Sequence, residues 1–200
     1  GTGLRDGEAL GLKWSNVELT NPNEGSLTVT RSLSRVPLAP EGKRFTFNDP
    51  KTPAAGKTIP LNPEVVSALK THQARQASQR LSLGSNWKDQ GLVFPNEWGS
   101  PLEPTRVYRA LKRTLRKIAD TIDRGDKEKL QRWEHLVKTL RVHDLRHTCA
   151  TLMVEKDVHA KKIQGMMRHA HYSTTMDVYV HTNTETLRDA ANTLGEAIAR

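Results

Sequence analysis

The sequence lacks the features that mark exported or membrane-spanning proteins. Its single cysteine, Cys149, excludes an internal disulfide bond and fits a reducing compartment. The mean hydropathy is low, at −0.64, and no apolar run approaches the length of a membrane span. No signal peptide is visible at the start of the sequence. Disulfide-stabilised and membrane-spanning classes are therefore excluded, and we expect Cys149 to be a small buried residue on a helix.

Acidic residues are in the minority. The 200 residues contain 22 Asp and Glu against 31 Lys and Arg, which gives a net charge of +9. The isoelectric point is about 9.8. This balance favours a polyanionic partner, although charge alone does not distinguish DNA, RNA and an acidic membrane surface.

The densest group of chemically active side chains lies between Arg141 and His181. Residues three and four apart on a helix are neighbours, so His143, Arg146 and His147 are expected to share one helical face. Two imidazoles and a guanidinium are costly to bury without a partner. This spacing therefore predicts a surface that meets an anion.

The end of the same segment carries His169 and Tyr179. Ser173 or Thr174 can cap a helix that continues through Tyr179, and His169 then lies in the turn before that helix. Taken alone, Tyr179 would more often be a core tyrosine whose hydroxyl has a hydrogen-bond partner.

These motifs resemble the tyrosine recombinase, or phage integrase, family. HDLRHTCAT matches the family pattern H-x-L-R-H, and MMRHAHYSTTMDVYVH is similar to L-G-H followed by T-T-x-x-Y. The opening TGLRDGEALGLKW resembles the first arginine box of the family. The combination is specific and runs across essentially the whole chain, whereas each motif alone would be weak.

The resemblance implies an enzyme that cuts and rejoins DNA. Tyr179 would attack a DNA phosphate with His143 as base, and the product would be a 3′-phosphotyrosyl link. Lys51, in a hairpin, would protonate the departing 5′ oxygen, and Lys57 is a competing candidate for that role. The link conserves the phosphodiester energy, so no nucleotide cofactor would be needed, and four cationic or imidazole side chains would replace a metal.

The resemblance also implies which groups stabilise charge. Arg5 and Arg146 would bind the non-bridging phosphate oxygens, and His169 would add a hydrogen bond. Glu8 matches an acidic position that can orient a nearby arginine, and His147 would support the site.

The rest of the chain predicts an α+β fold that is mainly helical, with a small three-stranded antiparallel sheet near the N-terminus. The alternating, β-branched runs SLTVTRS, RFTFN and GKTIPL are the expected strands, within residues 26–61. Asn62 and Pro63 open one predicted helix, to about Arg80, and Pro104 opens another, to about Asp120. Residues 120–140 are predicted to be an insertion or a helix pair without an assigned function.

The helix after Pro104 is the most basic segment of the chain. No acidic residue interrupts its cations before Asp120, which is unusual for a solvated helical face. We therefore predict that it contacts DNA through six residues: Arg106, Arg109, Lys112, Arg113, Arg116 and Lys117.

Two other functions remain open from the sequence. One is a zinc hydrolase, because His143 and His147 are spaced like two metal ligands on a helix. Against it, Asp144 replaces the longer glutamate expected of a base, and Arg146 would repel a dication. The other is a DNA-binding module that does not cleave. Arg168 stands where the family has glycine, and a left-handed backbone there would cost on the order of 1 kcal/mol and could shift His169.

The resemblance further implies an organisation larger than this chain. Residues 1–200 are expected to be a catalytic domain without its first helix and without a separate DNA-clamping domain. Family members act on double-stranded DNA as tetramers, and a C-terminal helix, here 185–200, docks on a neighbouring subunit. The expected location is the cytoplasm of a prokaryote, on DNA, with no membrane partner.

Overall fold

A computed structural model describes residues 2–21, 24–36, 45–49, 56, 58–122 and 125–182. The α-helices in these ranges are α1 (Asp6–Gly11), α2 (Pro63–Leu83), α3 (Pro104–Ala119), α4 (Lys127–Thr139), α5 (Val142–Glu155), α6 (Ala160–Met167) and α7 (Tyr172–Thr182). The strands are β1 (Val17–Glu18), β2 (Ser26–Thr28), β3 (Ser32–Arg35), β4 (Phe45–Asn48) and β5 (Thr58–Pro60). The predicted α+β class with a small antiparallel sheet is confirmed.

The membership of the sheet differs from the sequence prediction. A three-stranded antiparallel sheet has the order β1–β2–β5, with Leu27 opposite both Val17 and Ile59. The sequence pattern predicts RFTFN in this sheet, but its β4 pairs with β3 in a separate hairpin, where Leu33 lies opposite Phe47. The two-residue strand β1 has no counterpart in the prediction because so short a segment carries no alternating pattern.

The main core lies between the three-stranded sheet and α2. Buried side chains from both elements meet there, together with the short apolar stretch that contains Val93: Leu12, Leu27, Val29, Ile59, Leu61, Val66, Leu69 and Val93. Helix α2 begins as predicted, because the Asn62 side chain accepts a hydrogen bond from the Val65 amide at 2.9 Å. This core holds the N-terminal segment, and hence Arg5, against the rest of the domain.

The second core lies between α5, α6 and α7. Ala150 and Val154 of α5 pack against Ile163 and Met167 of α6, and Tyr179 of α7 lies at the edge of this cluster. Cys149 packs there as well and is half-buried rather than fully buried. These contacts bring the two ends of the predicted motif, near Arg146 and near His169, to one place.

Several predictions fall on residues outside the described ranges. Lys51, Lys57 and the proposed docking helix 185–200 are among them. Residues 127–139, within the segment without an assigned function, form α4, which packs on α3. No helix in the described part of the chain is long and apolar enough to cross a membrane.

Candidate active site

Arg5 and Glu8 form the first part of the site, at the start of α1. The Glu8 carboxylate accepts a hydrogen bond from the Arg5 backbone amide at 2.7 Å and one from its guanidinium at 3.0 Å. Burial alone would raise the pKa of Glu8, but the Arg5 hydrogen bonds and the charge of Arg168 bring this pKa below its ordinary value. Glu8 is therefore ionised at neutral pH and holds Arg5 in place.

Arg146 ties α5 to two other segments. It is 5% exposed, and its guanidinium donates hydrogen bonds to the backbone carbonyls of Gly3 and Met167. Gly3 has φ +62°, and a Cβ there would lie 2.7 Å from the sulfur of Met167, so only glycine allows this approach. Two of the five N–H donors of Arg146 are used in this way.

The electrostatic environment of Arg146 is strongly positive. Its burial and the nearby charge of Arg5 lower the pKa of Arg146 to about 10, and Arg168 acts in the same direction. Arg146 still carries its charge at neutral pH. An anion bound here would relieve the mutual repulsion of these guanidinium groups.

Arg168 occupies the left-handed conformation, the case in which the sequence analysis expected its replacement of glycine to cost energy. It caps α6 with φ 52° and ψ 45°. Its side chain is buried, and one guanidinium nitrogen forms an ion pair with Glu8, whereas the other buried nitrogen has no hydrogen-bond partner. The departure from the family glycine therefore places a third guanidinium beside Arg5 and Arg146.

His169 follows directly and faces the same charges. Burial, then Arg146, Arg5 and His147, lower the pKa of His169 to about 4, so its imidazole is neutral at pH 7. Its Nδ1 lies 2.9 Å from the hydroxyl of the fully buried Thr175. If Thr175 donates this hydrogen bond, Nε2 carries the ring proton and can donate to a phosphate oxygen.

His143 and His147 lie on the exposed side of α5. Their ring centroids are 4.9 Å apart with edge-to-face geometry. His147 is close enough to lower the pKa of His169, whereas Arg146 of the same helix is buried. The predicted common face is thus divided, with the imidazoles in solvent and the guanidinium beneath them.

The structure does not bring Tyr179 to this cluster. The Tyr179 hydroxyl donates a 2.5 Å hydrogen bond to the Val158 carbonyl, and the side chain packs on the α5–α6 core. Burial raises the pKa of Tyr179, and Tyr172 and Asp157 raise it further. This is the arrangement of a core tyrosine, so the role of Tyr179 as nucleophile stays a prediction that requires its hydroxyl to leave Val158.

The basic helix α3 presents most of its predicted DNA contacts to solvent. Arg109, Arg113, Arg116 and Lys117 are exposed. Arg106 is exposed too, but it forms an ion pair with Glu97, with an N–O distance of 2.6 Å. These assignments stay predictions.

The prediction that Lys112 contacts DNA is wrong in this structure. Lys112 is 7% exposed, and its ammonium donates hydrogen bonds to the carbonyls of Val137 at 2.6 Å and Lys138 at 3.1 Å. It thus binds the C-terminal turn of α4, where the helix dipole favours a cation. The sequence showed an unbroken run of cations but could not show that α4 packs over one of them.

The cluster as a whole can bind and polarise a phosphate. Arg5, Arg146 and the neutral His169 offer charge-assisted and neutral donors side by side. Sequence reasoning missed Thr175, although it lies in the TTMDVY segment that ends at Tyr179, because threonine is common as a helix cap. Among the residues that the structure describes, no group of three His, Cys, Asp or Glu is arranged to hold a metal ion.

Comparison with known proteins gives a consistent family assignment. The sequence model of the Phage integrase family matches residues 1–186. A protein named tyrosine recombinase XerC-like, from Caldanaerobacter subterraneus subsp. tengcongensis, is 28% identical over 98% of this chain and 47% of its own length. An integrase from Streptomyces ambofaciens is 28% identical over 89% of this chain and 41% of its own length. The chain thus spans less than half the length of these relatives.

Solved structures show the same fold. The Tn1549 transposon integrase, in complex with transposon right end DNA, has a TM-score of 0.73 at 23% identity and covers 98% of this chain and 56% of its own. The XerA recombinase has a TM-score of 0.57 at 23% identity, covering 96% of this chain and 53% of its own. The arrangement of helices and small sheets described above is therefore that of an existing fold class.

Proposed function

This chain belongs to the phage integrase family, and on that premise we propose that it is the catalytic domain of a site-specific DNA recombinase that cuts and rejoins DNA strands. The observation that carries the proposal is the cluster of Arg5, Arg146 and the neutral His169. The pKa of His169, at about 4, reflects both its burial and its closeness to the two guanidinium groups. Such a site suits a phosphodiester whose negative charge grows in the transition state.

The proposed reaction uses side chains alone. The Tyr179 oxygen attacks the phosphorus, His143 accepts the phenol proton, and the bond to the 5′ oxygen breaks. Lys51 protonates that oxygen, which leaves a 3′-phosphotyrosyl link and a free 5′ hydroxyl. The reverse reaction with another 5′ hydroxyl rejoins the strand. Since the link conserves the bond energy, no nucleotide is consumed, and cations perform the charge stabilisation that a metal performs in other phosphoryl transfers.

The hydrogen bond between Tyr179 and Val158 makes the first step conformational. Attack requires α7 to shift or the Tyr179 side chain to rotate, so that the hydroxyl leaves the carbonyl and reaches the cation cluster. Binding of DNA is the event we propose to drive this movement, since a phosphate between Arg5 and Arg146 supplies a target that the free site lacks.

Double-stranded DNA is the proposed partner. The net charge of +9 and the exposed cations of α3 support it. The related Tn1549 integrase is described in complex with transposon DNA, and the XerH recombinase in complex with difH substrate. We further propose that the protein acts as a homotetramer on two duplexes and that residues 185–200 provide the helix exchanged between neighbours.

A DNA-binding module without cleavage activity is the second candidate. The engagement of the Tyr179 hydroxyl by Val158 favours it, since a permanently bound phenol would not attack. The family match does not favour the zinc hydrolase that the spacing of His143 and His147 left open.

Trapping of the covalent intermediate tests these alternatives. The protein is incubated with its attachment-site DNA in the presence of EDTA. The DNA carries a nick next to the cleavage site, so that the short fragment with the free 5′ hydroxyl is lost and rejoining is prevented. We expect an adduct that survives SDS, is lost with Tyr179→Phe and persists with Tyr172→Phe, the matched control on the same helix. DNA binding without any adduct would refute the catalytic proposal and leave the binding module. An adduct abolished by EDTA would refute the metal-free mechanism.

A further inference from the structure

We propose that Arg168 is a positioning residue of the phosphate site, which it controls through Glu8; this inference rests on the proposed function. Against the family pattern alone, Arg168 would count only as a defect, because it replaces a glycine. The contacts of its side chain indicate instead that it performs a task in this protein.

The first step in the argument is the burial of the Arg168 guanidinium. The side chain is 2% exposed, and its partner Glu8 is 9% exposed. A buried guanidinium is stable only beside a counter-charge, and Glu8 provides the carboxylate. The second terminal nitrogen of the Arg168 guanidinium has no hydrogen-bond partner among the residues that the structure describes, so Glu8 is the group that compensates its charge there.

The second step is that Glu8 is shared. One of its oxygens accepts from the Arg5 guanidinium at 3.0 Å, and the other accepts from the Arg5 amide at 2.7 Å and from Arg168. With Arg168 present, three guanidinium groups face one carboxylate, and two positive charges remain for a phosphate. Without Arg168, Glu8 would neutralise Arg5, and Arg146 alone would remain uncompensated.

The third step is the place of Arg168 in the chain. It lies between Met167, whose carbonyl binds Arg146, and His169, which faces the same cations. Its ion pair with Glu8 therefore connects α1, which carries Arg5, to the turn that carries His169. A glycine at 168 would adopt the left-handed backbone with less strain but would provide neither the charge nor this connection.

The test compares Arg168→Gly, Glu8→Gln and the double variant in the adduct assay, with DNA affinity measured separately. We expect Arg168→Gly to slow adduct formation at saturating DNA by about tenfold, the size of a typical coupling between contacting residues. The affinity for DNA should fall less than the rate, because the site loses one of its two uncompensated positive charges while the exposed cations of α3 are unaltered. The double variant should recover much of the rate, since removal of the carboxylate charge frees Arg5 again. Arg141→Gln, which removes an exposed arginine paired with Asp144, is the control for a general loss of charge.

Recovery of the adduct rate in the double variant distinguishes a positioning role of Arg168 from a purely structural one. If Arg168 and Glu8 only stabilised the fold, the loss of the Glu8 contacts would add to the loss of the Arg168 contacts, and the double variant would be slower still. The proposal is overturned if Arg168→Gly forms the adduct as fast as, or faster than, the unmodified protein, or if the double variant is no faster than Arg168→Gly. In both cases recombinase function still stands.

A second measurement covers the case in which the unmodified protein forms no adduct and the proposed function fails. Inorganic phosphate that binds the folded site raises the melting temperature by mass action. A larger rise for the unmodified protein than for Arg168→Gly supports the role of Arg168 in an anion site. Equal rises overturn it.

Discussion

Replacement of Lys112 by methionine tests the correction of the DNA-contact prediction. Methionine keeps most of the apolar length of the side chain but removes the ammonium that binds Val137 and Lys138 at 2.6 and 3.1 Å. The carbonyls then lose a charged donor at the end of α4. We expect the variant to be less stable and to bind DNA with unchanged salt dependence.

The size of the effect follows from the two hydrogen bonds and the burial of Lys112. A hydrogen bond to a charged group contributes about 1.5–3 kcal/mol, and partial access of water to the helix end reduces the sum, so we expect a loss of about 2–3 kcal/mol. For a domain of this size, each kcal/mol shifts the melting temperature by about 2–4 °C, so the melting temperature should fall by roughly 5–10 °C.

The assay combines thermal unfolding with DNA binding over a range of salt concentrations. Lys117→Met is the matched control on the same helix, because Lys117 is exposed, and its stability should change by less than about 0.5 kcal/mol. A phosphate contact contributes about 0.9 to the slope of log K against log salt. If Lys112→Met left the melting temperature unchanged and reduced this slope by that amount, Lys112 would contact DNA, and its assignment to the end of α4 would be wrong.

Three further predictions concern α7 and the turn before it. Tyr179→Phe should lower the free energy of unfolding by about 1 kcal/mol, measured with urea, since it removes the hydrogen bond to Val158. The pKa of His169 falls from 6.5 to about 4 on folding, so the unfolded state binds more protons between these values. The contribution of His169 to the free energy of unfolding is therefore fully present above pH 6.5 and is lost as the pH falls toward 4. After solvent screening we expect a loss of about 1–2 kcal/mol, measured by urea denaturation at a series of pH values. Thr175→Val should leave the His169 imidazole as a mixture of tautomers in nitrogen NMR, because its Nδ1 loses the hydroxyl 2.9 Å away.

Each of these has a discriminating control. Tyr172→Phe, at a tyrosine that is 44% exposed, should leave stability unchanged, and an equal loss in both variants would contradict the assigned role of Val158. His169→Asn should abolish the pH-dependent component described above, and an unaltered profile would show that another group causes it. A single tautomer that persists after Thr175→Val would mean that Thr175 does not orient His169.

Local features of the sequence predicted the secondary structure well where a specific residue begins an element. Pro63 and Pro104 begin α2 and α3, as proline at the first helical turn predicts. The sheet was predicted less well, because strand pairing depends on partners distant in the chain. Phe45–Asn48 has a clear strand pattern, but the pattern does not say that it pairs with Ser32–Arg35 rather than with Ser26–Thr28.

The candidate site, too, has a part that the sequence predicted and a part that only the packing of the chain decided. The resemblance to the family implied that Arg5, Arg146 and His169 belong together, and the structure places Arg5 and Arg146 close enough to lower the pKa of His169. The motifs did not indicate that Glu8 would be shared with Arg168, and they raised a left-handed backbone at Arg168 only as a possibility whose cost could be named. An ion pair between residues 160 positions apart depends on the packing of α1 against the end of α6.

The sequence by itself determined the family, the fold class and the starts of α2 and α3, whereas it placed the start of α7 at Ser173 or Thr174 rather than at Tyr172. These follow from residue types and short spacings, which act over one or two helical turns. Only the tertiary structure decided that Lys112 binds a helix end, that Arg168 binds Glu8 and that Tyr179 binds Val158. Their partners lie 25, 160 and 21 residues away, respectively, and burial removes water as the alternative partner, so the native packing alone selects each hydrogen bond.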